Sequence, residues 1–273
     1  MTLRKGSLAV VGTGIESLGH LTPAARNELR RAQKVFYLAA DPVTEETLLA
    51  LNPRSESLRP LYKVGRNRLV TYAAMAQRVM TEVRRGRRVC FALYGHPGVF
   101  ARPAHSAVSI ARSEGYRATM LPGVSADACL IADLGIDPAT FGLQSYEATD
   151  FVVHRRKADN RSGLLLWQVG CMGRVDYPSG PIDRTKIALL TEMLLEIYPR
   201  KHQAQLYEAP TLPGFEPSIE TVRIGSLHEG PITTVTTMYV PPSRRAKVDR
   251  AMLARLGIRP ADRLRCLRLA SSP

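Results

Sequence analysis

The chain opens on a short apolar run, Leu8–Val11, that stops at Gly12-Thr13-Gly14. Consecutive apolar residues ending in a glycine turn predict a buried strand. Thr22-Pro23 then offers an N-cap and a first-turn proline, and Ala24, Ala25, Leu29 and Ala32 recur at helical spacing. Val35–Leu38 predicts a second strand and Val43–Leu51 a short helix. Over Arg68–Arg85, the residues Tyr72, Met75, Ala76, Val79 and Val83 share one helical face, and Gly86 ends the pattern. Val89–Tyr94 reads as a third strand, followed at once by Gly95-His96-Pro97-Gly98. Ala104–Glu114 reads as a helix stopped by Gly115, and Arg117–Leu121 as a strand running into Pro122-Gly123.

Strands alternating with helices at these intervals predict a parallel α/β sheet. Such sheets bind ligands outside the carboxyl ends of their strands. Three glycine-bearing turns fall there: Gly12-Thr13-Gly14, Gly95–Gly98 and Pro122–Ala126. The second half is patterned differently. Gly163–Val169, with Trp167, predicts a strand, Thr185–Tyr198 a helix, and Gln203–Tyr207, Glu220–Ile224 and Thr233–Val240 further strands. A closing helix is expected over Ser243–Leu256, capped by Ser243 and stopped by Gly257, with Val248, Met252 and Leu256 as its apolar stripe. The expected organisation is an α/β domain over 1–122, a second over 123–242, and a C-terminal helix with a basic tail over 243–273.

Composition changes this picture little. The 273 residues are 45% hydrophobic and 23% charged, which is ordinary globular usage. No apolar run approaches the ~18 residues of a membrane helix, and the first apolar stretch is too short for a signal-peptide core. A cytoplasmic protein without a membrane partner is expected. Cys90, Cys129, Cys171 and Cys266 form no C-x-x-C, and the six histidines lack ligand spacing, so no metal site is expected. The net charge of +14 invites an RNA partner, but it is spread along the chain. Its one concentration is the tail from Ser243, which carries nine Arg or Lys against two Asp.

The motifs narrow the chemistry. V-V-G-T-G-I-E-S-L-G departs from a dinucleotide fingerprint, because Ser17 stands where the third glycine would be. Y-G-H-P-G-V-F is either a well-packed loop or a ligand cradle, with Tyr94 and Phe100 offering ring faces. Arg68 and Tyr72 lie four residues apart, hence on one helix face, with Tyr62 just upstream in a basic loop. The pair is either a surface stack or a phenol whose deprotonated form is favoured by the guanidinium.

Taken together, V-V-G-T-G-I-E-S-L-G-H-L-T, F-Y-L-A-A-D-P-V-T, L-Y-G-H-P-G-V-F, E-G-Y-R-A-T-M-L-P-G-V-S-A and L-L-W-Q-V-G resemble the tetrapyrrole methylase superfamily, over roughly residues 7–258. D-P-V-T, Y-G-H-P-G-V-F and W-Q-V-G are most similar to its borosin branch, the peptide backbone α-N-methyltransferases. The resemblance implies a two-domain, class III methyltransferase that binds S-adenosylmethionine in the cleft between domains and releases S-adenosylhomocysteine. It implies that Tyr94, His96, Val99, Phe100, Ser125, Ala126, Gln168, Ala209, Thr236 and Thr237 hold the donor. It places catalysis on Arg68 and Tyr72, with Tyr62 and Tyr94 facing the substrate amide. It further implies a homodimer. The last residues show no apolar core peptide, so a separate precursor peptide is the expected substrate, as in the split bacterial type. A corrin or siroheme C-methyltransferase and an RNA methyltransferase or RNA-binding protein of this fold are the alternatives. The Arg68/Tyr72 helix and the W-Q-V-G strand argue against the former, and only net charge supports the latter.

Overall fold

The computed structural model describes residues 5–177 and 180–259. Among them the chain divides into two compact units. Unit 1 contains residues up to Leu134 and two segments that return to it, Arg174–Gly180 and Ala209–Ser218; unit 2 contains the rest. The expected single boundary at residues 122 and 123 thus falls inside unit 1, and the division is made by several crossings of the chain.

Unit 1 is built on β1 (Ser7–Gly12), β2 (Lys34–Leu38), β3 (Ser55–Ser57), β4 (Arg88–Leu93) and β5 (Arg117–Leu121). They form one sheet in the order β3-β2-β4-β1-β5, and every pair in it is parallel. Its crossover helices are α1 (Pro23–Arg31), α2 (Pro42–Leu51), α3 (Arg68–Arg84) and α4 (Arg102–Ser113). Successive residues of a strand point to opposite faces, and here both faces are apolar, as a parallel sheet demands. Leu8, Val10, Phe36, Leu38, Val89, Phe91 and Leu93 pack on α3 and α4. Val11, Val35, Tyr37, Cys90 and Ala92 pack on α1 and α2. Adjacent strands β1 and β4 are therefore followed by helices on opposite faces. Their carboxyl ends mark a topological switch point, where such sheets open a crevice. Unit 1 closes with α5 (Ala126–Asp133).

Unit 2 holds the short helix α6 (Pro138–Phe141), β6 (Leu143–Glu147), α7 (Ala148–Val153), β7 (Gly163–Trp167), α8 (Arg184–Leu195), β8 (Gln203–Glu208), β9 (Ser218–Arg223) and β10 (Thr237–Val240). Its sheet runs β6-β7-β10-β8-β9. It is mixed: β6 and β7 are parallel, while β10 runs antiparallel to β7 and to β8. Phe151, Leu164, Leu166, Ile187, Leu190, Leu194, Leu206 and Met238 form its core.

The closing helix α9 spans only Arg250–Arg255, and its cap is Asp249, whose side chain accepts from Met252 N. Ser243 does not start it. The backbone N–H groups of Ser243 and Arg244 both donate to Asn160 O, which holds this stretch outside a helix. The expected stripe faces solvent: Val248, Met252 and Leu256 are exposed, and Leu253 is the buried member. Residues 260–273 of the expected basic tail lie outside the described residues. Among the described residues, no helix is long and apolar enough to cross a membrane.

Candidate active site

The three glycine turns meet in unit 1 at the carboxyl ends of β1, β4 and β5. Gly95 N donates to Gly14 O at 2.7 Å, and both glycines adopt positive φ. A Cβ on Gly12 would drive into Gly95 O and lie 2.9 Å from Gly123 Cα. A Cβ on Gly123 would lie 2.6 Å from Gly95 O. Glycine is required at both positions because three backbones dock directly on one another. The loop before α1 is tied down as well. Ser17 N donates to Thr211 O of the returning segment at 2.7 Å, and Ser17 Oγ donates to Asp41 at 2.8 Å. Asp41 caps α2 through Thr44 N and also accepts from Thr44 Oγ1. Burial alone would raise its carboxyl, but the hydrogen bonds from Thr44 and Ser17 outweigh it and hold the group below its ordinary range.

This scaffold presents the second turn. Tyr94 N donates to Leu38 O at 3.1 Å, and the Tyr94 side chain is 56% exposed. His96 Nδ1 accepts from Gly98 N at 2.9 Å, and Val99 N donates to His96 O. Phe100 is exposed and has φ +51. Gly98 is less open than its place in the motif suggests. A Cβ there would lie 3.0 Å from His96 Cε1 and 3.4 Å from Met120 Sδ, so it faces protein. At the third turn Ser125 stands at the N-cap position of α5 without a side-chain cap bond, its hydroxyl donating to the Asp127 carboxylate, and Ala126 opens the helix.

The proposed catalytic residues lie in the same unit. A 3₁₀ turn over Arg59–Leu61 delivers Tyr62, and α3 begins at Arg68 with Asn67 as its cap. Tyr72 sits one turn into α3, and Tyr62 and Tyr72 both pack on the core beneath. Their rings meet edge to face, with centroids 6.4 Å apart. Burial first, then the Tyr72 and Tyr94 phenols, a side-chain hydrogen bond to Tyr72, and the Tyr177 phenol push Tyr62 far above the ordinary tyrosine range. Tyr62 therefore stays protonated. Three of the four expected catalytic residues, Tyr62, Tyr72 and Tyr94, thus form one cluster of phenols. Arg68 stands half-buried at the start of the same helix, its backbone N–H held by Val175 O at 2.8 Å.

The cluster contains a tyrosine that the sequence did not mark. Tyr177 lies 4.6 Å from Tyr62 by ring centroids, tilted 43°. It arrives on the returning segment Arg174–Gly180, more than 100 residues downstream of Tyr62, and no local pattern announces it. Ala209 opens the other returning segment.

In unit 2, Gln168 follows β7 with φ +56, a left-handed conformation costly to a residue with a Cβ. Thr236 is fully buried; its Oγ1 accepts from Thr233 N and donates to Glu208. Thr237 pairs with Tyr207 at the start of β10. Glu208 is a second residue that sequence reading missed. Among the described residues four non-glycine side chains have positive φ, Leu18, Phe100, Arg155 and Gln168. Two of these are expected donor contacts, and strain of this kind gathers at ligand sites.

Residues 7–222 match the family of tetrapyrrole (corrin/porphyrin) methylases, and the chain belongs to that family. Its fold is that of the tetrapyrrole methylases. Among curated proteins it is similar to a methyltransferase/ribosomally synthesized cyclic peptide precursor of dendrothelin A from Dendrothele bispora, 42% identical over 96% of this chain and 64% of the relative. It is 41% identical to the corresponding omphalotin A precursor of Omphalotus olearius, over 96% of this chain and 64% of the relative. A type I borosin cyclic peptide precursor from Coprinopsis marcescibilis is 40% identical over 93% of this chain and 68% of its own length. The chain thus spans 64% of the length of the first two. Among solved structures, the uroporphyrin-III-C-methyltransferase of Thermus thermophilus shares the fold, with a TM-score of 0.62 at 20% identity over 88% of this chain and 93% of that one.

Proposed function

We propose that the chain transfers methyl groups from S-adenosylmethionine to backbone amide nitrogens of a ribosomally made peptide. The observation that carries this reading is the phenol cluster of Tyr62, Tyr72, Tyr94 and Tyr177, with Arg68 one turn before Tyr72 on α3. The names of relatives near 40% identity support it. The donor supplies a methyl group on positively charged sulfur, a good leaving group.

The residues of unit 1 fit such a ligand. Three docked glycine turns leave Tyr94 and Phe100 exposed at the switch point, and Phe100 is held in a strained conformation. On this reading Tyr94, His96, Val99, Phe100, Ser125, Ala126 and Ala209 hold the donor. Gln168, Thr236 and Thr237 are assigned to it by the family resemblance.

An amide nitrogen is a poor nucleophile, because its lone pair is delocalised into the carbonyl. It must lose its proton or become imidate-like. Tyr72 is the group proposed to accept that proton, as a phenolate. Arg68 and the protonated hydroxyl of Tyr62 are the groups proposed to stabilise the anion. Tyr94, exposed beside them, is the group proposed to donate to the amide carbonyl as negative charge develops there. On this proposal Tyr62 supports Tyr72, where the family resemblance has it facing the substrate amide.

Isothermal titration should show binding of S-adenosylmethionine or its demethylated product. A borosin-type peptide supplied on a separate chain should gain mass in methyl units, and fragmentation should place them on backbone nitrogens. Methylation of a tetrapyrrole in place of the peptide would overturn the reading. The homodimer and separate precursor belong to the same proposal. Light scattering tests the first. Methylation of the enzyme's own chain, with none on the added peptide, would sink the second.

A further inference from the structure

We infer that Tyr177 is a positioning residue for Tyr62, holding that phenol in register with Tyr72 through its ring. The inference rests on the peptide-methylation reading for its catalytic consequence and on geometry for the contact. Tyr62 sits in a loop rich in basic and exposed residues, Lys63, Val64 and Gly65, and its only helix is the single 3₁₀ turn before it. The α3 side of the ring is closed by the edge-on contact with Tyr72. A second contact is the tilted face of Tyr177 at 4.6 Å. That ring is itself held at a fixed place, because the segment bearing it is pinned to the start of α3. Val175 O accepts from Arg68 N at 2.8 Å, and Asn67 and Asp176 form an antiparallel bridge.

Tyr177 is 37% exposed, so it is bound on one side and open on the other. A residue kept only for the core would be enclosed. This one turns its buried face to Tyr62, and its phenol adds to what holds Tyr62 above the ordinary tyrosine range. The arrangement separates three jobs: Tyr72 takes the proton, Tyr62 donates to Tyr72, and Tyr177 keeps Tyr62 from turning out to solvent.

The test is a double-mutant cycle combined with a titration that needs no substrate. Tyr177→Ala should lower the single-turnover methylation rate about tenfold and leave donor affinity unchanged. Tyr177→Phe, which keeps the ring, should recover most of that loss. In a Tyr62→Phe background, adding Tyr177→Ala should produce little further loss, because the two act through one hydroxyl. Independently, NMR of ring-labelled tyrosine should show Tyr62 ionising at lower pH in Tyr177→Ala than in the wild type. Losses that multiply in the double variant would overturn the inference, as would a Tyr62 titration that does not move. If wild-type protein methylated no peptide, the proposed function would fall, while the titration would still decide whether Tyr177 governs Tyr62.

Discussion

At the scale of single residues, the site separates side chains that do chemistry from those that hold backbone. Tyr72→Phe keeps the ring packed on the core and removes the proposed proton acceptor. Peptide and donor affinity should stay near wild type while the methylation rate falls about 10²–10⁴-fold. A variant retaining more than about a tenth of the single-turnover rate would remove Tyr72 from that role. Arg68→Lys should also fail, because a point charge cannot fork between phenol and amide. The glycines behave differently. Gly12→Ala forces a Cβ into backbone that cannot yield, and it should cost roughly 3 kcal/mol or more in denaturant unfolding. Gly115→Ala meets nothing within 4 Å and carries only the strain of φ +79, about 1 kcal/mol. Equal losses at the two positions would refute the docked-turn account.

Elements were legible in the sequence where pattern and environment agree. The central strands of unit 1, β1, β2 and β4, are apolar on both faces, because helices cover both, and these and β5 were found within a residue or two at their ends. α1 was found with its cap: Thr22 accepts from Ala25 N. β3 and β6 were missed, because Ser55–Ser57 and Leu143–Glu147 are mostly polar edge strands whose pairing comes from neighbours. The strand expected from Thr233 begins at Thr237, since Thr233 and Thr236 close a turn on each other. α9 was overextended, because no helical period reveals that Asn160 holds the backbone at Ser243. The site divides in the same way. Its glycine turns and the Arg68/Tyr72 face are local patterns; Tyr177 and Glu208 reach their partners by tertiary folding alone. A cap also carries an element-scale prediction. Asp41→Ala removes the side-chain acceptor of α2 and the partner of Ser17. It should cost about 2 kcal/mol in chemical unfolding, and an unchanged midpoint would show that the cap is dispensable.

For the whole molecule, buried phenols set the behaviour at high pH. Burial, then the hydrogen bond to Glu45, pushes Tyr37 up to about 12. Burial raises Tyr198 to about 12 as well. In the unfolded chain tyrosine titrates near about 10. Between those values the folded state holds more protons than the unfolded one, so stability falls as pH rises through that window. Among the described residues the buried Tyr198 hydroxyl has no hydrogen-bond partner. Tyr198→Phe should therefore melt at or above the wild-type temperature at neutral pH. It should also lose less between about pH 9 and about pH 11. A lower melting point at neutral pH would mean that the hydroxyl has a partner in solution.

The two segments that return to unit 1 also impose an order of completion during synthesis. A nascent chain released from the ribosome as far as Leu134 already contains all five parallel strands. It lacks the carbonyl that receives the Arg68 amide, the ring that covers Tyr62 and the carbonyl that receives the Ser17 amide. The last of these emerges with Ala209–Ser218. At about 5–20 residues per second the wait is several seconds or more. Over that interval a folded sheet would carry an unfinished site. Arrested chains ending after Leu134 should resist protease across the sheet yet be cut between Leu61 and Asn67, and extension past Ser218 should abolish that cut.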